Sequence, residues 1–321
     1  MEVLNFILSI LIVFIASLLF TNGIEYISNK LKFTKSFTGT IITPLFSSFP
    51  ELIVFIIALI FVGGIDGEGV AIGTVLGEPF IVSTISLSII FITIIIKMYS
   101  DKKFEYFINV EKVLYIPYLF ITIFFSSLLI PAYINLFHFE IGLILIISYA
   151  IYFYIIGKKE GEKFEEVEGI PYFSRFTNVK VGTVLQLLIS FILLYFGSKT
   201  LVSSIIEYSH LIGISSMTLS IVIVPIATAM PETMISMIWA LKRKYTLAIY
   251  SIIGEIILCS SIYPGLAMLI VPWALNKDAI ISIIFTSIIS FIYLIFSIRG
   301  KIPIFIFILG LIMFFIFLII L

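Results

Sequence analysis

An all-α membrane protein with ten transmembrane helices, built as two inverted five-helix repeats around broken central helices, is the fold this sequence predicts. Three observations lead there: an extreme apolar composition, ten separate apolar stretches, and a pair of carboxylate motifs that recurs in the second half. Of 321 residues, 61% are hydrophobic and 12% charged, with a mean hydropathy of +1.25. A soluble domain carries about 25% charged residues because its surface faces water. Most of this chain must face lipid instead. That excludes a cytosolic enzyme, a secreted module and a nucleic-acid-binding domain. The net charge is zero and no basic face is present, so a polyanionic partner has no support. A single cysteine, Cys259, excludes an internal disulfide, and the two histidines, His138 and His210, stand in no metal-ligand motif.

The apolar stretches cover 3–21, 37–62, 70–96, 113–131, 137–157, 181–204, 212–240, 246–272, 279–298 and 302–320. Each approaches the roughly 20 residues that a helix needs to cross a bilayer. The first follows an acidic Glu2 and precedes no small-residue cleavage site, so it reads as a retained helix rather than a signal peptide. The second, third, seventh and eighth carry Pro, Gly and carboxylates, and are expected to be broken helices lining a cavity.

Loop charges set the orientation. Alternate loops hold Lys30, Lys32 and Lys35; Lys97, Lys102, Lys103 and Lys112; Lys158, Lys159, Lys163, Arg175 and Lys180; Lys242, Arg243 and Lys244; and Arg299 and Lys301. Of the 19 basic residues only Lys199 and Lys277 fall on the other side. This predicts a multi-pass plasma-membrane protein with both termini outside the cytoplasm. Residues 158–180 then form a cytoplasmic linker between repeats 1–157 and 181–321. The linker's Glu160, Glu162, Glu165, Glu166 and Glu168 match no oxygen-ligand loop pattern and read as solvated charge.

The repeat is visible in the motifs. TPLFSSFPEL (43–52) and VPIATAMPET (224–233) each contain Pro, five residues, then Pro-Glu, which aligns Pro44, Pro50 and Glu51 with Pro225, Pro231 and Glu232 at an offset of 181. IGTVLGEPF (72–80) aligns with IYSIIGEII (249–257), pairing Gly77-Glu78 with Gly254-Glu255 at an offset of 177. Five spans per half turn the second copy upside down, the inverted-repeat arrangement of many secondary transporters.

A carboxylate in the bilayer interior is costly, about 2.5–3.5 kcal/mol on insertion scales, and marks an ion or proton pathway. A single buried Glu also fits a plain interhelical clasp; a symmetric quartet of Glu51, Glu78, Glu232 and Glu255 argues for an ion site. Hydroxyls stand four residues before each one: Ser47, Thr74, Thr228 and Ser251. That spacing places them on the same helical face. Pro50 and Pro231 lack the N–H that would bond Phe46 and Ala227, and Pro44 and Pro225 loosen the backbone further upstream. Carboxylates, hydroxyls and carbonyls together make an all-oxygen site suited to a hard cation such as Ca²⁺, with Mg²⁺ or Mn²⁺ as alternatives.

The runs IITPLFSSFPELIVFIIALI and IVIVPIATAMPETMISMIWALKRK resemble the two alpha-repeat motifs of the sodium/calcium exchanger family, within the cation/Ca²⁺ exchanger superfamily. FGSKTLVSSIIEYSHLIGISSMTLSIVI (196–223) is similar to the segment leading into that family's second motif. The resemblance implies a central cation site, alternating access, ligands at Ser47, Glu51, Thr228 and Glu232, and backbone ligands at the carbonyls of Pro44 and Pro225. Ser48, within the first motif, is a supporting residue. This chain departs from the family by placing Glu78 and Glu255 where serines are usual, and Val82 and Cys259 where Asn or Asp is usual.

Four nearby carboxylates cannot all ionise cheaply in a dry site, so protons are expected on some of them until a dication displaces them. The leading expectation is therefore export of a divalent cation, Ca²⁺ foremost, in exchange for H⁺, with Glu78 and Glu255 as coupling groups. Na⁺/Ca²⁺ exchange is the alternative. A channel fits inverted repeats within one chain less well, and no H-E-x-x-H pair supports a metalloenzyme. No cofactor and no obligatory protein partner is expected.

Overall fold

The computed structural model describes residues 2–29, 41, 43–134, 137–158 and 170–321. The linker glutamates 160–168 and the start of the second span lie outside them. Among the described residues, eight helices are long and apolar enough to cross a membrane, or nine counting one bent pair. The final apolar helix, Ile304–Ile320, is shorter than those eight. One departure from pure helix is a two-stranded antiparallel ladder, β1 (Phe107–Asn109) with β2 (Lys301–Pro303).

The helices in chain order are α1 (Glu2–Asn29), α2 (Thr43–Ser47), α3 (Phe49–Ile56), α4 (Gly64–Ile81), α5 (Leu87–Ser100), α6 (Tyr115–Ser127), α7 (Leu129–Ile134), α8 (His138–Gly157), α9 (Val179–Ile212), α10 (Ser216–Thr228), α11 (Met230–Leu241), α12 (Tyr245–Ile270), α13 (Lys277–Ile298) and α14 (Phe307–Ile320). Their outward faces are apolar: Val184, Leu188, Phe191, Ile192 and Phe196 on α9, and Ile308, Ile312, Phe315 and Ile319 on α14, are all exposed. Apolar patches this continuous are tolerated only where lipid replaces water.

Two of the four expected helix breaks are present. The second span breaks at Ser48 between α2 and α3, and the seventh breaks at Ala229, where α10 and α11 meet at 47°. Ser48 and Ala229 are equivalent positions at the 181-residue offset. Each lies two residues before a proline, which occupies the first turn of the following helix where its missing N–H costs nothing. The third and eighth spans, by contrast, are not broken. α4 runs through a π-helical turn, Val82–Ser86, into α5, and α12 is continuous. Glycine beside a carboxylate only weakens a helix by about 1 kcal/mol, which packing on every side of these two helices offsets. Nearly every residue from Gly67 to Ile81 and from Leu247 to Cys259 is buried.

Glycines allow the closest approaches. A Cβ on Gly73 would lie 2.4 Å from the Met217 carbonyl oxygen, and one on Gly77 2.4 Å from that of Ile221, so α4 and α10 meet backbone to backbone. α8 crosses α12 where Gly142 faces Gly265. α14 packs on the Val82–Ser86 turn and α5, with Gly310 against the Thr84 carbonyl. α1 packs along α9, α6 along α13, and α2 against α12.

Loop contacts respect the alternation of sides. Asp101, after α5, pairs with Arg243 at 2.8 Å and with Lys97 at 3.1 Å, and Arg243 chiefly holds the Asp101 carboxyl at about 2. β1, in the same loop as Asp101, pairs with β2 and so joins it to one further loop of the basic side. On the other side Asp66 meets His210 at 3.1 Å, and Asp278 accepts from Thr218 at 2.7 Å.

Candidate cation site

The two helix breaks present their carboxylates in the same way. Glu51 lies in the first turn of α3 and Glu232 in the first turn of α11. A helix N-terminus carries partial positive charge and leaves its first N–H groups without an intrahelical partner. Glu78 comes from the middle of α4 and Glu255 from the middle of α12. The four are 2, 5, 1 and 2% exposed, in the order Glu51, Glu232, Glu78, Glu255. All six pairings of the four carboxyls are close enough to interact electrostatically.

Each carboxyl has its own neighbour. Thr21 donates to Glu232 Oε1 at 2.7 Å, Ser47 to Glu255 Oε1 at 3.2 Å, and the Cys259 thiol to Glu78 Oε2 at 2.8 Å. Thr228 sits beside Glu51, with its hydroxyl turned to the Val224 carbonyl at 3.0 Å. Among the described residues, Glu51 Oε2, Glu232 Oε2 and Glu255 Oε2 are buried without a hydrogen-bond partner. Buried polar atoms are nearly always paired, so three unpaired oxygens in one layer call for a ligand or a proton. No group of three or more His, Cys, Asp or Glu among the described residues stands close enough to hold one metal ion. Three of the four carboxyls, those of Glu78, Glu232 and Glu255, are thus each held by a separate side chain.

The other predicted positions are also buried, but several are occupied. The Pro44 carbonyl accepts from the Ser48 N–H at 3.0 Å and the Ser48 hydroxyl at 2.7 Å, and the Pro225 carbonyl accepts from the Ala229 N–H at 2.9 Å. Residues four beyond these prolines still have an N–H, so the helical bond forms; to ligate an ion, either carbonyl would have to share or exchange it. Thr74 is turned to the Val70 carbonyl at 2.8 Å, one turn from Glu78 but not bonded to it. Ser251 pairs with Ser236 at 2.7 Å. Pro50 and Pro231 are buried at the starts of α3 and α11.

Sequence reasoning missed Thr21, Ser236 and Tyr263, and did not give Cys259 a role at the site. Tyr263 donates to the Ser48 carbonyl at 2.8 Å and so steadies the break in the second span. A four-residue signal was available for three of them: Glu255, Cys259 and Tyr263 lie on one face of α12, and Ser236 is four residues after Glu232. Thr21 had only Ser17 before it on an otherwise apolar helix.

Comparisons with known proteins bear on the fold and the family. No curated protein matches the chain. Among solved structures it is similar to the H⁺/Ca²⁺ exchanger CAX, with a TM-score of 0.78 and 15% identity, covering 99% of this chain and 81% of that one. It is also similar to the sodium-calcium exchanger NCX_Mj, with a TM-score of 0.65 and 20% identity, covering both chains completely. At such identities the likeness establishes the fold. The model of the sodium/calcium exchanger protein family matches residues 1–158 and 182–321, nearly the whole chain. With both motif helices and the carboxyl layer inside the matched regions, the chain belongs to the sodium/calcium exchanger family.

Proposed function

We propose that this protein is a secondary active antiporter that exports a divalent cation, Ca²⁺ foremost, in exchange for H⁺, by alternating access around the Glu51–Glu232 layer. The observation that carries this reading is the set of three buried, unpartnered carboxylate oxygens between the two broken helices. Glu51 and Glu232, with Ser47 and Thr228 beside them, are the cation ligands. Glu78 and Glu255 carry the coupling protons. Four ionised carboxylates carry about two negative charges more than one dication balances, and once the dication leaves none of them is balanced, so a low-dielectric site takes up protons as the cation departs. Family membership supports Ca²⁺ as cargo, and it leaves Na⁺ as the alternative counter-ion.

The alternating-access frame in this reading is two inverted five-helix repeats, 1–157 and 181–321, joined by the linker 158–180. The equivalent breaks at Ser48 and Ala229 support it. So does the packing, in which α4–α10 mirrors α12–α2, and α8–α12 mirrors α14 against the α4–α5 span. A cysteine placed in the linker should react only from the cytoplasm, and one placed after Leu321 only from outside. Labelling both from one side would remove an odd span and with it the inverted arrangement.

The function itself is tested in liposomes holding the purified protein. Ca²⁺ uptake should follow an imposed pH gradient in the absence of Na⁺. Calorimetry in buffers of different ionisation enthalpy should show protons released as Ca²⁺ binds. The Glu78→Gln, Glu255→Gln double variant should still bind Ca²⁺ but release clearly fewer protons. Equal release by parent and variant would make these two residues structural clasps and move Na⁺ coupling ahead.

A further inference from the structure

Away from the carboxyl layer, polar side chains gather in a groove between α1 and α9. The two helices touch where Gly197 lies against Ile12 and Val13, so that a Cβ on the glycine would fall 2.8 Å from Ile12 Cγ2. Toward the start of α1 they part around a cavity of about 490 Å³. That volume is within the range of small-molecule sites, about 300–1,000 Å³. Phe6 and Tyr208, next to Asn5 and Glu207 in the chain, stack at 4.8 Å and tie the helices together again. Asn5, Lys199, Thr200, Ser203 and Glu207 are exposed along the groove, with Leu8 and Ile12 as its apolar side.

The groove sits at a bilayer boundary. α9 exposes large apolar side chains from Val181 to Phe196 and then none until Leu211. Lys180 and Lys199 flank that stripe and are separated by about 28 Å of helix, against roughly 30 Å of hydrocarbon. Lys199 therefore stands at headgroup level, in the leaflet away from the basic loops. Lys199, Ser203 and Glu207 recur every four residues on one face, with Glu207 about 12 Å farther from the hydrocarbon along the axis. Among the described residues neither Lys199 nor Glu207 is in an ion pair. Thr200 spends its proton on the Phe196 and Gly197 carbonyls, at 3.1 and 2.8 Å, and has lone pairs left. One positive and one negative group, the negative one farther out, complement a zwitterion whose phosphate lies deep and whose ammonium lies shallow. A net anionic lipid gains little here, since its attraction takes several Lys or Arg together. A quaternary ammonium is recognised by aromatic faces, and the lining has none, whereas a primary ammonium donates directly to a carboxylate.

We propose that this groove binds one phosphatidylethanolamine molecule of that leaflet, with its phosphate on Lys199 and Ser203, its ammonium on Glu207 and the Asn5 side-chain carbonyl, and an acyl chain along Leu8 and Ile12. The site is independent of which ions the protein carries. The test uses the full chain, purified in detergent, stripped of lipid and titrated with phosphatidylethanolamine, phosphatidylcholine or phosphatidylglycerol of one acyl composition. Native mass spectrometry counts the bound lipid. One phosphatidylethanolamine should bind with a half-saturating concentration about tenfold below that of the other two lipids, the effect of one charge-assisted hydrogen bond. Lys199→Gln and Glu207→Gln should each raise that concentration about tenfold, with the unfolding temperature of the lipid-free protein unchanged because both side chains are exposed. Glu207→Lys should transfer the preference to phosphatidylglycerol. Equal binding of the three lipids by the parent, or an unchanged phosphatidylethanolamine midpoint in either Gln variant, would overturn the proposal. So would saturation of the groove by inorganic phosphate or glycerophosphoethanolamine at the same concentrations, which would make it a site for a soluble ligand rather than a lipid.

Discussion

Replacing Glu51 or Glu232 by Gln is expected to abolish divalent-cation exchange in liposomes while the protein still folds. Each residue begins a half-helix at a break, is almost fully buried, and has one oxygen without a partner among the described residues. Gln keeps the volume and removes the charge. Removing one partner of a buried charged contact costs about 2–5 kcal/mol, so cation affinity should fall by about two orders of magnitude or more. Folding is spared because the carbonyl of the amide introduced by Glu232→Gln can still accept the Thr21 hydroxyl, and because one charge fewer lowers repulsion within the layer. Ca²⁺ flux and thermal unfolding in detergent read the two effects separately. Near-normal flux in both variants would refute the site.

Substitution of Gly77 by Ala is expected to be among the most damaging small changes in the chain. The added Cβ would sit 2.4 Å from the Ile221 carbonyl oxygen and 2.7 Å from its Cα, both backbone atoms that no rotamer change can move. α4 and α10 must then separate, with an overpacking cost of about 1–3 kcal/mol or more. Gly77→Val should go further and leave little folded protein. The separation would also displace the end of α10, which carries Thr228, so cation binding should weaken in whatever folds. Gly213→Asn serves as the control, since that position is left-handed at φ +72 and meets nothing within 4 Å, and Asn tolerates the conformation. The measurement is fluorescence-detected unfolding in detergent. A Gly77→Ala variant that melts with the parent would show that the two helices do not depend on this contact.

Much of the architecture was legible because lipid imposes a simple rule on sequence. Apolar runs mark the crossings, and basic loops alternate with poor ones, and the observed loop contacts, such as Asp101 with Arg243, keep to one side. The breaks in the second and seventh spans were readable from Pro50 and Pro231, since a missing N–H is a local covalent fact. The expected breaks in the third and eighth spans failed for the complementary reason. Gly77-Glu78 and Gly254-Glu255 weaken a helix without removing its bonds, and only the neighbours decide whether it stays whole.

The sequence by itself determined that the chain lives in a membrane, where its carboxylates lie along each span, and that the Pro-Glu and Gly-Glu motifs of the first half recur in the second. Those properties follow from hydropathy, proline chemistry and residue spacing, which act within one helix. Only the tertiary structure decided which groups meet across helices: Thr21 with Glu232, Ser47 with Glu255, Cys259 with Glu78, and Tyr263 with the break at Ser48. It also decided that the Pro44 and Pro225 carbonyls are engaged. A hydrogen bond between residues more than 180 positions apart depends on how helices slide and rotate against one another, and glycine contacts such as Gly77 on Ile221 set that packing at the level of single ångströms.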